Sequence, residues 1–200
     1  MFDRKSLLAA GVAVYCSVSV LGLPQARAAA EASAGPVAAA RAHAARPAPA
    51  ARPAQPKRGA LIGKIWIPRM GLKTGVWEGV SQRVLRLGPG HYPWTGLPGR
   101  DGNTVLLGHR TTWRHPFNRL DLMRGGDRIV LRYGRTTYTY RARLKRVIDP
   151  MDRRALEPVP FKARSAPHGQ WITLITCTPK GSDRHRLVVV GKLSHTSRKR

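Results

Sequence analysis

Short apolar runs rich in β-branched residues constrain the fold of this chain more than any other feature. Such runs occupy residues 61–68, 74–80, 103–108, 127–133, 136–149, 171–176 and 185–193. Gly134-Arg135 has the length of a hairpin turn, residues 88–102 and 158–169 are rich in turn residues, and residues 116–123 predict a short helix. Seven or eight short strands with one or two short helices predict a mostly β fold, a small closed barrel.

The N-terminal residues have the composition of an export signal. A basic start is followed by residues 7–23, 17 positions without a charge. Ala26-Arg27-Ala28 would serve as a cleavage site. A helix of that length reaches about 26 Å against a hydrocarbon core of about 30 Å, so an uncleaved anchor also fits. We expect residues 1–28 to be a signal peptide or a membrane anchor, which places the protein at the extracellular face of the membrane or, after cleavage, outside the cell.

Residues 29–58 are mostly Ala, Pro and Arg. Such a segment cannot bury enough apolar surface to offset the entropy of the chain, so it predicts a disordered linker. One folded domain, 59–193, is then expected, followed by a basic tail, 194–200. The two cysteines are Cys16 in the hydrophobic segment and Cys177 in the folded domain, so we expect Cys177 to remain a free thiol.

The chain has a formal net charge of +26, of which residues 59–193 carry +17. A charge of this size is common in nucleic-acid-binding proteins, but no basic helix, zinc-finger spacing or RNP-type pattern accompanies it. We expect an anionic membrane or wall surface as a partner, and no nucleic acid; a general arginine bias with a solvated surface is the alternative. The ten acidic residues are scattered singly, which predicts no metal site, and no cofactor is expected.

One cysteine, one histidine and one arginine each lie at the end of a predicted strand. Cys177 ends the run that begins at Thr173, and a lone thiol there is a candidate nucleophile, although unpaired cysteines are usually small buried hydrophobes. His109 ends another run, and Arg186, or alternatively Arg184, opens the last one. The three side chains are therefore expected at one rim of a sheet.

Other polar and aromatic residues receive simpler interpretations. His91 and His115 lie in predicted loops, where a histidine is usually a surface or capping residue. Arg110 is expected to form a surface salt bridge. Trp94 and Trp113 could line a substrate groove or form part of the core.

Three of these features together resemble the markers of the sortases, cysteine transpeptidases that attach proteins to Gram-positive cell walls. They are Thr173-Leu174-Ile175-Thr176-Cys177, the earlier Gly108-His109, and the arginine that opens the last apolar run. The resemblance covers residues 60–193, is greatest to class E sortases of actinobacteria, and implies an eight-stranded β-barrel. The further motifs that follow one another as they do in that class are Gly90-His91-Tyr92-Pro93, Leu97-Pro98-Gly99, Gly102-Asn103, Pro116-Phe117, Gly126-Asp127 and Tyr138-Thr139-Tyr140.

The resemblance also implies roles for residues. Cys177 would cleave the Thr-Gly bond of a C-terminal sorting signal through an acyl-thioester and pass the exported protein to a peptidoglycan amine. His109 would transfer protons, and Arg186 would hold the substrate or polarise its carbonyl. Tyr92 and Thr176 would bind substrate, with Tyr92 favouring Leu-Ala-x-Thr-Gly over Leu-Pro-x-Thr-Gly. A hydrolysis-only cysteine peptidase and a noncatalytic basic barrel that binds wall polymer or nucleic acid are the alternatives.

Overall fold

A computed structural model describes residues 55–199 of the chain. The expected export signal or anchor, Cys16 and nearly all of the expected linker lie outside the described residues. Within residues 55–199, no helix has the length and apolar character that crossing a membrane requires.

Eight strands close into a barrel in the order β1-β2-β3-β4-β7-β8-β6-β5, which confirms the predicted fold class. The pairs β2–β3 and β4–β7 are parallel, and the other neighbours are antiparallel. The strands are β1 (Leu61–Ile67), β2 (Leu72–Glu78), β3 (Gly90–His91), β4 (Gly102–Leu107), β5 (Arg128–Tyr133), β6 (Thr136–Ile148), β7 (Gln170–Thr178) and β8 (His185–Arg198).

Helical structure in the described part of the chain is slight. One α-helical turn, α1 (Gln82–Leu85), begins where the Ser81 hydroxyl accepts a hydrogen bond from the Val84 N–H. Three 3-10 turns cover Pro68–Met70, Leu120–Leu122 and Arg153–Leu156. The helix predicted over 116–123 is therefore a 3-10 turn of three residues.

Two boundaries differ from the expectations. The segment 88–102, predicted to be loop, contains the two-residue strand β3, which pairs with both β2 and β4. Residues 194–198, expected in a basic tail, belong to β8, where residues 195–198 pair with residues 136–139 of β6. By contrast, the hairpin at Gly134-Arg135 is confirmed, since Tyr133 pairs with Thr136.

Strands β7 and β8 pack on both faces. Their alternate residues, such as Leu174 and Val189, fill the interior of the barrel. The residues between them, such as Ile175 and Val188, form a second apolar cluster with residues of the segment 149–169. A strand that is buried on both faces is nearly continuously apolar, which explains the unbroken apolar runs in this part of the sequence.

A buried Glu78–His91 pair joins β2 to β3. The two residues face each other in the parallel register, are 1% and 0% exposed, and place His91 Nδ1 2.7 Å from Glu78 Oε2. On the other side of the ring, His91 Nε2 lies 3.2 Å from the Gly96 carbonyl oxygen. Because that carbonyl can only accept, Nε2 carries a hydrogen. The interpretation of His91 as a surface or capping residue is wrong.

This pair also holds the loop after β3. The Thr95 hydroxyl lies 3.1 Å from His91 Nε2 and donates to the Tyr92 carbonyl oxygen over 2.7 Å. The Thr95 hydroxyl oxygen also accepts a hydrogen bond from the Val105 N–H of β4. The backbone of Tyr92 is thereby connected through Thr95 to the buried pair.

We expect Glu78→Ala to lower the free energy of unfolding by about 3 kcal/mol, because it leaves a buried ring nitrogen without a partner. Glu78→Gln keeps a hydrogen-bonding side chain beside His91 Nδ1 and should cost about 1 kcal/mol. Urea denaturation of the two purified variants measures both values. Equal losses would show that the hydrogen bond is not what stabilises this end of the barrel.

Candidate active site

The parallel pairing of β4 and β7 sets the positions of His109 and Cys177. Leu107 is the register partner of Ile175, and the two strands are parallel. His109 and Cys177, each two residues further on, therefore lie at matching positions along the strand direction. The Gly108 N–H donates to the Ile175 carbonyl over 3.1 Å, and the Thr176 hydroxyl donates to the Gly108 carbonyl over 2.7 Å. These two bonds extend the pairing up to the residues that precede the imidazole and the thiol.

Arg186 enters the site from the other side of Cys177. The two residues are register partners in the antiparallel pair β7–β8, and both are partly exposed. Side chains alternate along a strand, so Cys177 and Arg186 lie on the outer face with Ile175 and Val188. Arg184 precedes β8 and is exposed. The structure therefore brings Cys177, His109 and Arg186 to the ends of three adjacent strands, as the sequence predicts.

A cleft of about 140 Å³ opens beside these strand ends. Its wall includes Leu107 and Ile175, each two residues before His109 or Cys177, together with Arg186 and Tyr92. Met151 and Leu156, from the segment between β6 and β7, close the other side. The cleft therefore lies along the outward side of β7 near its end, and most of its wall is apolar.

Thr176 points to the opposite face from Cys177. Its side chain is 3% exposed, and its hydroxyl is bonded to the Gly108 carbonyl oxygen. We therefore expect Thr176 to support the positions of His109 and Cys177, rather than to contact substrate as the resemblance implies.

His109 has a ring nitrogen that is free to act. Its Nε2 atom is buried and has no hydrogen-bond partner within the described residues. Burial and the nearby positive charge of Arg86 lower the pKa of His109 below its ordinary value. Arg86 itself lies over the ring of Trp113, 4.3 Å from its centroid. A buried ring nitrogen without a partner is suited to exchange a proton with a bound group.

Arg110 is buried rather than at the surface, which corrects the expectation of a surface salt bridge. It is 5% exposed, and its guanidinium binds three groups: the Asn118 carbonyl at 2.9 Å, the Cys177 carbonyl at 3.3 Å and the Asp121 carboxylate at 3.0 Å. Asn118 returns a hydrogen bond from its side chain to the Arg110 carbonyl. Arg110 thus fastens the segment that carries His109 to the end of β7.

This role of Arg110 could not be predicted from a local pattern, because its partners Asn118, Asp121 and Cys177 lie elsewhere in the chain. The one available signal is that Arg110 directly follows His109, with Asp121 the first acidic residue after it. Of the tryptophans considered for a substrate groove, Trp94 is 74% exposed and Trp113 is 50% exposed.

Within residues 55–199, no group of three His, Cys, Asp or Glu side chains is arranged to hold a metal ion.

Comparison with known proteins gives a consistent result. The sortase domain model matches residues 65–194. Sortase SrtE1 of Streptomyces coelicolor is 34% identical over 135 residues, which are 64% of this chain and 38% of that protein. The structure of sortase E from Streptomyces avermitilis superposes with a TM-score of 0.65 at 34% identity, covering 72% of this chain and 93% of that one.

A second solved relative contains a peptide. Sortase E1 from Streptomyces coelicolor, solved with a tripeptide in the active site, superposes with a TM-score of 0.65 at 28% identity, covering 70% of this chain and 91% of that one. The chain spans well under two thirds of the length of the full SrtE1 sequence. The similarity therefore concerns the folded domain.

We expect Arg86→Gln to raise the pKa of His109 toward its ordinary value, because removing a neighbouring positive charge makes protonation of the ring easier. NMR titration of the His109 ring protons measures the change. Arg83→Gln, which removes an exposed cation from the same helical turn, is the matched control and should leave the titration unchanged. A His109 titration that is the same in both variants and the wild type would contradict the assignment of Arg86.

Proposed function

The chain belongs to the sortase family, and from that premise we propose that it is a cysteine transpeptidase of the cell envelope. Its substrates are exported proteins with a C-terminal sorting signal, and its acceptor is a peptidoglycan amine. The observation that supports this proposal best is the parallel, in-register pairing that carries His109 and Cys177 to matching heights, with Arg186 facing Cys177. The N-terminal segment would hold the enzyme at the extracellular face of the membrane.

In the first half-reaction, the Cys177 thiolate attacks the carbonyl carbon of a Thr-Gly bond. The C–N bond then breaks, a thioester forms, and His109 delivers a proton to the departing glycine amine. A lowered pKa reduces the protonated share of His109 at neutral pH, but it makes the protonated ring a stronger acid toward the leaving group. In the second half-reaction, an amine attacks the thioester, His109 accepts its proton, and the thiolate is released.

Arg186 binds the substrate carbonyl in this proposal. Its Nη1 atom donates to the carbonyl oxygens of Asp183 and His185, at 2.6 and 3.1 Å. These bonds hold the guanidinium in place, while Nε and Nη2 remain able to donate to a bound peptide. Charge-assisted hydrogen bonds to a carbonyl strengthen as its oxygen becomes negative during attack.

Tyr92 would select the signal. It lines the same cleft as Arg186, and its backbone is held through Thr95 by the buried Glu78–His91 pair. An aromatic side chain at this position narrows the cleft, so a small residue such as alanine would fit before the x-Thr-Gly portion of the signal. We therefore assign to Tyr92 a preference for Leu-Ala-x-Thr-Gly over Leu-Pro-x-Thr-Gly.

Intact-protein mass spectrometry tests the reaction. We expect the purified protein, incubated with a Leu-Ala-x-Thr-Gly peptide, to acquire an acyl adduct that is absent in Cys177→Ala, and to form an amine-ligated product when an amine is added. The Leu-Pro-x-Thr-Gly peptide should react more slowly. Cleavage without any ligated product at high amine concentration would indicate a hydrolytic peptidase. Folded protein that forms no adduct with either peptide would indicate a noncatalytic barrel.

We expect Arg110→Lys to lower kcat for peptide cleavage by about tenfold to a hundredfold, because a lysine cannot bind Asn118, Cys177 and Asp121 together and the thiol shifts relative to His109. KM should change little, since Arg110 lies outside the residues that line the cleft. Arg119→Lys, at an exposed arginine of the same segment, is the control. A rise in KM with unchanged kcat would show that Arg110 does not position the nucleophile.

A further inference from the structure

The outer face of strands β1, β5, β6 and β8 carries positive charge without any acidic residue. None of the residues of these four strands is Asp or Glu. Ile65, Ile129 and Tyr140 point into the barrel. Because side chains alternate along a strand, the residues next to each of them point outward. We call the surface formed by the exposed cations Lys64, Arg128, Arg132, Arg141 and Lys192 the basic face.

Like charges stand directly opposite each other on the basic face. In one row, Arg128 faces Arg141, and Arg141 faces Lys192. In a second row, Lys64 faces Arg132. Like charges in directly opposed cross-strand positions destabilise a sheet. The protein therefore keeps an arrangement that works against its own stability.

The cations are held in place but not neutralised. Arg128 lies over the ring of Trp66 at 5.9 Å, and Lys192 lies over the ring of Trp171 at 5.3 Å. Arg141 donates to the Gly126 carbonyl oxygen over 3.0 Å. A ring face or a carbonyl oxygen orients a cation and leaves its full charge.

The acidic residue next to the basic face is already occupied. Asp127 precedes Arg128 and accepts two hydrogen bonds from the guanidinium of Arg69, at 2.9 and 3.1 Å, and one from the Arg124 N–H at 2.8 Å. The Arg69 contact lowers the pKa of Asp127 and keeps it ionised. Within residues 55–199, no carboxylate forms an ion pair with the five cations of the basic face, so they remain available to an external anion.

We propose that the basic face binds a linear, phosphate-bearing polymer of the cell wall. Neighbouring strands lie about 4.8 Å apart, so the row from Arg128 to Lys192 spans about 10 Å, and the second row lies about 13 Å away along the strands. Hydroxyl-bearing side chains such as Thr137, Thr139 and Ser197 lie between or beside the rows and can donate to phosphate oxygens. A surface that combines cations and hydroxyls suits a polyanion lying across it.

The position of the basic face is compatible with catalysis. Lys192 lies six residues along β8 from Arg186, which corresponds to about 20 Å. A polymer bound at Lys192 would therefore leave the cleft beside Cys177 open, and it would hold the domain against the wall that supplies the acceptor amine. This inference rests on the proposed extracellular function for its choice of polymer, but not on the chemistry at Cys177.

Binding of a poly(glycerol phosphate) oligomer to the full chain tests the proposal. The variant Arg128→Gln/Arg141→Gln/Lys192→Gln should bind at least tenfold more weakly at low salt, and the slope of log K against log[NaCl] should fall by about two. The control Arg83→Gln/Arg100→Gln/Lys162→Gln removes the same three charges from exposed positions elsewhere. It should lose less than threefold in affinity.

Several outcomes overturn the proposal. Equal losses in the two variants would show that net charge alone drives binding. A second outcome is that the face variant loses affinity for phosphatidylglycerol vesicles, or for single-stranded DNA, while its affinity for the polymer equals that of the control. That result would assign the basic face to a membrane or to nucleic acid. The face variant should also unfold at no lower urea concentration than the control, because like-charge pairs have been removed. Peptide cleavage, measured in parallel, should be unchanged in both variants, and its absence in the wild type would refute the proposed function alone.

Discussion

The parallel pairing of β4 with β7 is the constraint on which the site depends. Parallel strands present their carboxyl ends at one edge, so two residues that follow matching positions arrive there together. Leu107 and Ile175 match, and His109 and Cys177 follow each of them by two residues. Without this register, the imidazole and the thiol, 68 positions apart in the chain, would have no reason to meet. Thr176 and Arg110 then act on this edge, one from the interior and one from the loop.

The two-sided burial of β7 and β8 explains why the site is open on one face only. Interior residues such as Leu174 and Val189 belong to the barrel core, whereas Ile175 and Val188 belong to the outer cluster. Cys177 points to the same outer side of β7 as Ile175, and it is partly exposed near the cleft. A nucleophile one position earlier would lie in the interior, where Thr176 is.

The strands, the barrel and the positions of Cys177, His109 and Arg186 could be predicted because each depends on local pattern: an apolar run and the residue that ends it. The missed features depend on partners distant in sequence. β3 is two residues long, too short to show any period, and exists because β2 and β4 supply its hydrogen bonds. Likewise, the burial of His91 follows from its pairing with Glu78, and that of Arg110 follows from its pairing with Asp121, and neither pairing belongs to the local pattern of a strand.

Three of the ten acidic residues pair with a basic side chain from a different segment of the chain. Glu78 pairs with His91, Asp121 with Arg110 and Asp127 with Arg69, so these three carboxylates stabilise strand ends and loops. Buried polar groups without partners would cost more than exposed ones, and the scarce carboxylates are found where burial or loop geometry demands them. The sheet face of β5, β6 and β8 receives none, because its cations are exposed and water can solvate them. That exposure is also what leaves them able to bind an anion.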